Sequence, residues 1–121
     1  MSNLPDLPQT LAECERQHRE LSKLLASVGF IWTGTLQQRR LTCGKPQCAC
    51  HRDPDARHGP YFYWTTKKEQ KTVSRKVSEE EAQILERWID NRRTVEAILK
   101  QMNQVAQQAL DLLLRGKPKL D

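Results

Sequence analysis

Cys43, Cys48, Cys50 and His58 fall within sixteen residues, in the run Cys43-Gly-Lys-Pro-Gln-Cys48-Ala-Cys50 and a loop that ends at His58. Three sulfurs and an imidazole at turn-forming spacing predict a tetrahedral zinc site, because zinc takes thiolates at about 2.3 Å and imidazole nitrogen at about 2.0 Å. Residues 44–47 supply the turn: Gly44 tolerates positive φ, Pro46 fixes its own, and Lys45 offsets repulsion between thiolates. Cys48 and Cys50 both reach the ion if Ala49 points away. His51 competes for the fourth position, but as the neighbour of Cys50 it would have to fold back sharply, so His58 is preferred. Three reduced thiols without metal are the alternative.

Four protein ligands leave no open position, so structural zinc is favoured over catalytic zinc and no catalytic residue is assigned. The nearest carboxylates, Asp53 and Asp55, lie in a turn-rich loop without a paired partner. A thiol enzyme needs one of the cysteines free, which contradicts metal ligation. An iron–sulfur cluster usually takes four thiolates, and the remaining one, Cys14, falls on the apolar stripe of a helix, as does His18; both read as core.

Only 37% of the residues are apolar and 6% aromatic, so an extended helical shape or a metal staple is favoured over a compact enzyme in this chain of 121 residues. The net charge of +5 is concentrated: residues 33–77 hold ten basic side chains and three acidic ones, whereas the flanks are slightly acidic. The excess lies on the segment that also holds the metal ligands, which points to a polyanion there, against the alternative of a solvated basic surface. Residues 1–11 lack a basic region followed by an apolar run, and no stretch is apolar enough to cross a membrane. A cytoplasmic location is expected, where thiols stay reduced.

Thr10-Leu-Ala-Glu13 is a capping box opening a first helix that stops near Gly29, with Leu7, Leu11, Cys14, His18, Leu21, Leu25 and Val28 as its stripe. Pro5 and Pro8 keep the preceding residues out of the helix. Ser78-Glu-Glu-Glu81 repeats the box before a stretch free of glycine and proline until Gly116, a helix of roughly 55 Å at about 1.5 Å per residue. Its stripe runs Leu85, Trp88, Arg92, Val95, Leu99, Met102, Ala106, Ala109 and Leu113, widened by residues such as Ile98, Val105 and Leu112. The first helix is too short to cover all of it. The surplus at Leu99, Met102, Val105, Ala106, Ala109 and Leu113 predicts a homodimer or partner surface, unless Leu4 and Leu7 fold over it.

Between the helices, residues 30–42 read as a strand or extended arm with Gly34 as a bulge, residues 61–66 as a better strand, and residues 71–77 as its hairpin partner. Val73, Arg75 and Val77 fall on one face of that partner and Thr72, Ser74 and Lys76 on the other. Tyr61, Phe62, Tyr63 and Trp64 alternate, so two rings pack inward and two stay outside, framed by Lys67, Lys68, Lys71 and Arg75, as a stacking and phosphate surface. The alternative buries all four rings. Arg39, Arg40, Lys45, Arg52 and Arg57 then still offer phosphate contacts.

Gly34-Thr-Leu36, the Cys43-Gly-Lys-Pro-Gln-Cys48-Ala-Cys50 run, His58-Gly-Pro-Tyr61 and a lysine–threonine turn into a strand and long helix resemble a widespread group of small uncharacterised bacterial and phage proteins, often found beside transposases or recombinases. The resemblance covers roughly residues 34–93. It implies the order strand, metal knuckle, hairpin, helix, with the three cysteines and His58 as the shared site, and no established activity. The chain departs from it at Glu69-Gln70, where a glycine is expected.

The expected architecture is α+β: two antiparallel helices flanking a zinc-stapled β-hairpin or three-stranded sheet, with residues 1–29, 30–77, 78–116 and 117–121 as helix, knuckle module, long helix and tail of one domain. The expected function is a zinc-binding accessory of nucleic acid, DNA ahead of RNA, that assists a mobile-element recombinase or transposase. The alternative is a protein-interaction adaptor working through its long helix, with zinc only structural.

Overall fold

In the computed structural model, residues 7–118 and residue 120 are described; Leu4 and Pro5 lie outside them. Two helices, α1 (Leu11–Ser27) and α2 (Glu79–Leu113), bracket three strands in the chain: β1 (Thr35–Leu41), β2 (His58–Lys68) and β3 (Lys71–Val77). The strands form one antiparallel sheet with β2 in the middle. The chain divides into two compact units, residues 30–92 and residues 1–29 with 93–121.

Both helix starts follow from their capping residues. At α2 the box is reciprocal: the Glu81 amide donates to Ser78 Oγ at 3.0 Å and the Ser78 amide to Glu81 Oε1 at 2.8 Å. Hydrogen bonding of the carboxylate by the Ser78 amide and then the Ser78 hydroxyl, with a smaller contribution from the Arg75 charge, holds the Glu81 carboxyl below its usual range. Its support for the folded state is present above the ordinary carboxylate range and lost as pH falls through the lowered value. At α1 the Glu13 amide donates to Thr10 Oγ1 at 3.2 Å, but the Glu13 carboxylate reaches one residue further back than expected, to the Gln9 amide at 2.6 Å.

Cys14 and Leu21 are buried on α1, with Leu25 and Val28 half-buried below them. His18, Leu7 and Leu11 are exposed, so the expected stripe is corrected there: Gln17 takes the covered position beside Cys14. On α2, Ala82 and Ile89 are buried in the sheet-bearing unit and Ile98 in the other. Beyond Ile89 the covered line runs Val95, Ile98, Met102, Val105, Ala109 and Leu112. Val95, Met102 and Ala109 of the expected stripe lie on this line, as do Ile98, Val105 and Leu112, which widened it; Leu99, Ala106 and Leu113, each one residue or about 100° away, are exposed instead.

Residues 28–34 form an extended arm held on α2. The Trp32 amide donates to the Trp88 carbonyl at 3.2 Å, Asn91 Nδ2 donates to the Phe30 carbonyl at 2.8 Å, and Phe30 meets Trp88 with ring centroids 5.1 Å apart. The arm then turns into β1 at Gly34, whose φ of 115° is glycine territory. A Cβ there would sit 2.2 Å from Trp64 Nε1 and 2.9 Å from the Thr65 carbonyl oxygen. Gly34 is therefore a close-approach glycine just before the strand rather than a bulge within it. The irregularity falls between Arg39 and Leu41, where two residues of β1 span three of β2, since Arg39 pairs with Tyr61 and Leu41 with His58.

The β2–β3 turn is Glu69-Gln70, with φ of 53° and 66°. Positive φ at both central residues is the mirror-image turn that matches strand twist, a geometry usually given to Asn-Gly. The chain folds it without glycine, at a conformational cost.

Gly34→Ala is expected to destabilise the protein by on the order of 3 kcal/mol, read from denaturant unfolding, because it adds both backbone strain and overlap with Trp64. Replacing Glu69-Gln70 by Asn-Gly is expected to raise stability by about 1–2 kcal/mol in the same measurement.

Candidate metal centre and sheet surface

The loop between β1 and β2 satisfies its own backbone through short turns. The Cys48 amide donates to the Lys45 carbonyl at 3.1 Å, closing the turn around Pro46. A 3₁₀ turn at Ala49–His51 follows, and a second at Pro54–Ala56 is capped by Asp53, whose carboxylate accepts from the Asp55 amide at 3.0 Å. Asp53 thus serves the loop fold. Gly44 does not use positive φ, contrary to expectation, and a Cβ there would meet open space.

These turns bring the Sγ atoms of Cys43, Cys48 and Cys50 and a ring nitrogen of His58 within 4.8 Å of one another. Cys43 and Cys50 Sγ are 3.7 Å apart, and Cys48 Sγ is 3.4 Å from His58 Nε2. A tetrahedron with the zinc bond lengths above has sulfur–sulfur edges of about 3.8 Å and sulfur–nitrogen edges of about 3.6 Å. The donor set and both edges fit a metal site. Cys50 is buried, and the Cys43 amide donates to its sulfur at 3.3 Å, the kind of bond that orients a thiolate. His51 lies outside the cluster and is exposed.

Hydrogen bonding sets the thiols apart. The Cys50 backbone, followed by the Cys50 thiol, His58 and Cys43, pulls the Cys48 thiol down to about 6, while burial pushes the Cys50 thiol up. At neutral pH Cys48 is a thiolate ready to ligate, and Cys50 must give up a proton.

Strand register sorts the aromatic and basic residues. Tyr61, Tyr63 and Thr65 share a face with their β1 partners Arg39, Gln37 and Thr35 and their β3 partners Lys76 and Ser74. The Arg39 guanidinium sits 4.8 Å from the centre of the Tyr63 ring, and Lys76 Nζ 4.0 Å from that of Tyr61. Lys67 ends the row, and no carboxylate stands among the strand residues of this face. Phe62 and Trp64 point the other way, where Trp64 stacks on Trp32 at 6.3 Å and donates to the Thr33 carbonyl at 2.9 Å. The rings alternate between the two faces as expected, but all four are half-buried, so they do not divide into two covered and two outside.

The basic residues divide as well. Arg39 and Lys67 join the tyrosine face, while Lys68, Lys71 and Arg75 fall on the Trp64 side, where Arg75 attracts Glu81. Arg40, Lys45, Arg52 and Arg57 are exposed at or beyond the strand irregularity. Sequence reasoning left Lys76 out of the site, although its alternation with Arg75 and its place opposite Tyr63 were the available signal.

A Cys3His cluster in the loop that joins two strands of a three-stranded antiparallel sheet, with two helices, defines a small α+β protein with a candidate metal centre. The chain belongs to an uncharacterised family, the domain of unknown function DUF6788, whose model matches residues 11–87. The match takes in α1, the cluster and the whole sheet, and so begins earlier than the resemblance at residues 34–93. No curated protein and no solved structure matches the chain. Among the described residues, no helix is long and apolar enough to cross a membrane.

Zinc uptake is expected to strengthen as pH rises above neutrality, because the Cys50 proton must leave, and to weaken more steeply below about 6, where Cys48 also holds a proton. Equilibrium dialysis at several pH values checks this; a flat profile contradicts it.

Proposed function

We propose that this protein is a zinc-stapled nucleic-acid-binding accessory protein. The observation that carries the reading is the sheet face on which exposed Arg39, Lys67 and Lys76 share a row with half-buried Tyr61 and Tyr63, with no carboxylate among the strand residues. A polyanion gains there from three cations that need not be pulled from acidic partners on that face. Zinc has a structural part in this reading. It holds the loop between β1 and β2, so that the Arg39–Tyr61 end of the face keeps its pairing. DNA is preferred to RNA, with a recombinase or transposase of a mobile element as the setting, and no catalytic residue is assigned.

A second reading has its own observation. Leu99, Leu110 and Leu113 are 47%, 50% and 63% exposed on one side of α2, where Ala106 is also exposed. This unpartnered row supports an adaptor or homodimer acting through the long helix.

Binding to nucleic acid is expected to weaken with salt, with log K falling against log salt at a slope near −2 to −3 for about three neutralised phosphates. Changing Arg39, Lys67 and Lys76 together to Glu is expected to abolish the binding while leaving the circular dichroism unchanged. Negligible binding by the zinc-loaded parent protein in low salt favours the adaptor.

A further inference from the structure

Tyr61 and Tyr63 are two residues apart on β2, so their rings repeat at about 6.6 Å along the strand. Bases stacked in a duplex repeat at about 3.4 Å per strand, half that interval, and offer no free ring faces to the protein. A single strand with its bases splayed apart matches the tyrosine spacing, one base to each ring. The cations suit the same ligand. Arg39 comes from one edge strand and Lys76 from the other, and in the free protein each lies over the face of a tyrosine ring, so a stacking base takes that face as the cation swings aside onto the flanking phosphate.

The row continues past Tyr63. Thr35, Thr65, Lys67 and Thr72 form one side of a shallow, widely open basin of about 460 Å³ at the end of the sheet, and Thr33, Gly34 and Thr66 form the other. Its walls offer hydroxyls and one ammonium, a lining suited to a sugar and phosphate.

We propose that this face binds single-stranded nucleic acid, with one base on each of Tyr61 and Tyr63, the phosphates held by Arg39 and Lys76, and a further nucleotide in the threonine basin beside Lys67. The inference rests on the nucleic-acid reading above and adds the strandedness and the contacts. It makes the tyrosines contact residues for bases rather than packing for the sheet.

The test is fluorescence anisotropy of the full zinc-loaded chain with an oligodeoxyuridylate, an oligouridylate, a mixed-sequence duplex and an abasic single strand, all of equal length. Either base-bearing single strand is expected to bind more tightly than the duplex, and the tighter of the two names the sugar. Tyr61→Leu and Tyr63→Leu are each expected to weaken single-strand binding by about 5- to 100-fold, while Tyr61→Phe and Tyr63→Phe leave it nearly unchanged. The abasic strand, which keeps the phosphates and loses the bases, is expected to bind the unaltered protein more weakly by a similar factor, a comparison that stands even if a leucine variant does not fold. Equal binding of abasic and base-bearing strands, or a duplex bound at least as tightly as the single strands, overturns the inference and leaves the charge-based reading in place. No binding to any of the four overturns both.

Discussion

The closure of the sulfur loop onto the start of β2 is the constraint on which the middle of this protein depends. His58 is at once the first residue of β2, the partner of Leu41 across the sheet, and a member of the cluster with Cys43, Cys48 and Cys50. A three-stranded sheet with few apolar residues has little to hold its strands in register by burial alone. The side chain at the core of the loop is a thiol, Cys50, and not a hydrocarbon. The register slip between Arg39 and Leu41 lies next to this loop, and Gly59 makes it sterically feasible: its φ is 120°, and a Cβ would stand 2.9 Å from the Arg39 carbonyl oxygen.

The second organising device is the division of the sheet into unlike faces. On one, Trp64 is gripped by the arm through Trp32, the Thr33 carbonyl and the space that Gly34 leaves. On the other, the tyrosines remain half-buried beneath cations reaching in from both edge strands. One strand of alternating aromatics thus serves both anchoring and display, because successive side chains of an extended chain leave on opposite sides.

Much of this was legible in the sequence for local reasons. The cluster could be read because Cys and His at turn spacing carry their chemistry with them, and the position of His58 at the loop exit was enough to prefer it over His51. The strands and both capping boxes were equally local, resting on alternation and on a serine or threonine three residues before a glutamate. What failed to show depended on partners distant in the chain. Which side of α2 is covered beyond Ile89 is set by its neighbours in the fold, so Leu99 and Ile98 look interchangeable in the sequence and are not. The Gly34 contact with Trp64 spans a gap that no local pattern encodes. A turn before Lys71 was legible, but its mirror-image type was not, because Glu69 and Gln70 are poor indicators of the backbone they adopt.

The sheet is open, and both of its outer strands, β1 and β3, present a side with no strand beside it among the described residues. Such borders invite self-pairing and, eventually, aggregation, and proteins commonly blunt them with charge. Here β1 carries Arg39 and Arg40 and β3 carries Lys71, Arg75 and Lys76, so two copies meeting border to border would set like charges against each other. Arg39 and Lys76, the border cations of the tyrosine face, thus also disfavour extension of the sheet of one molecule by the next.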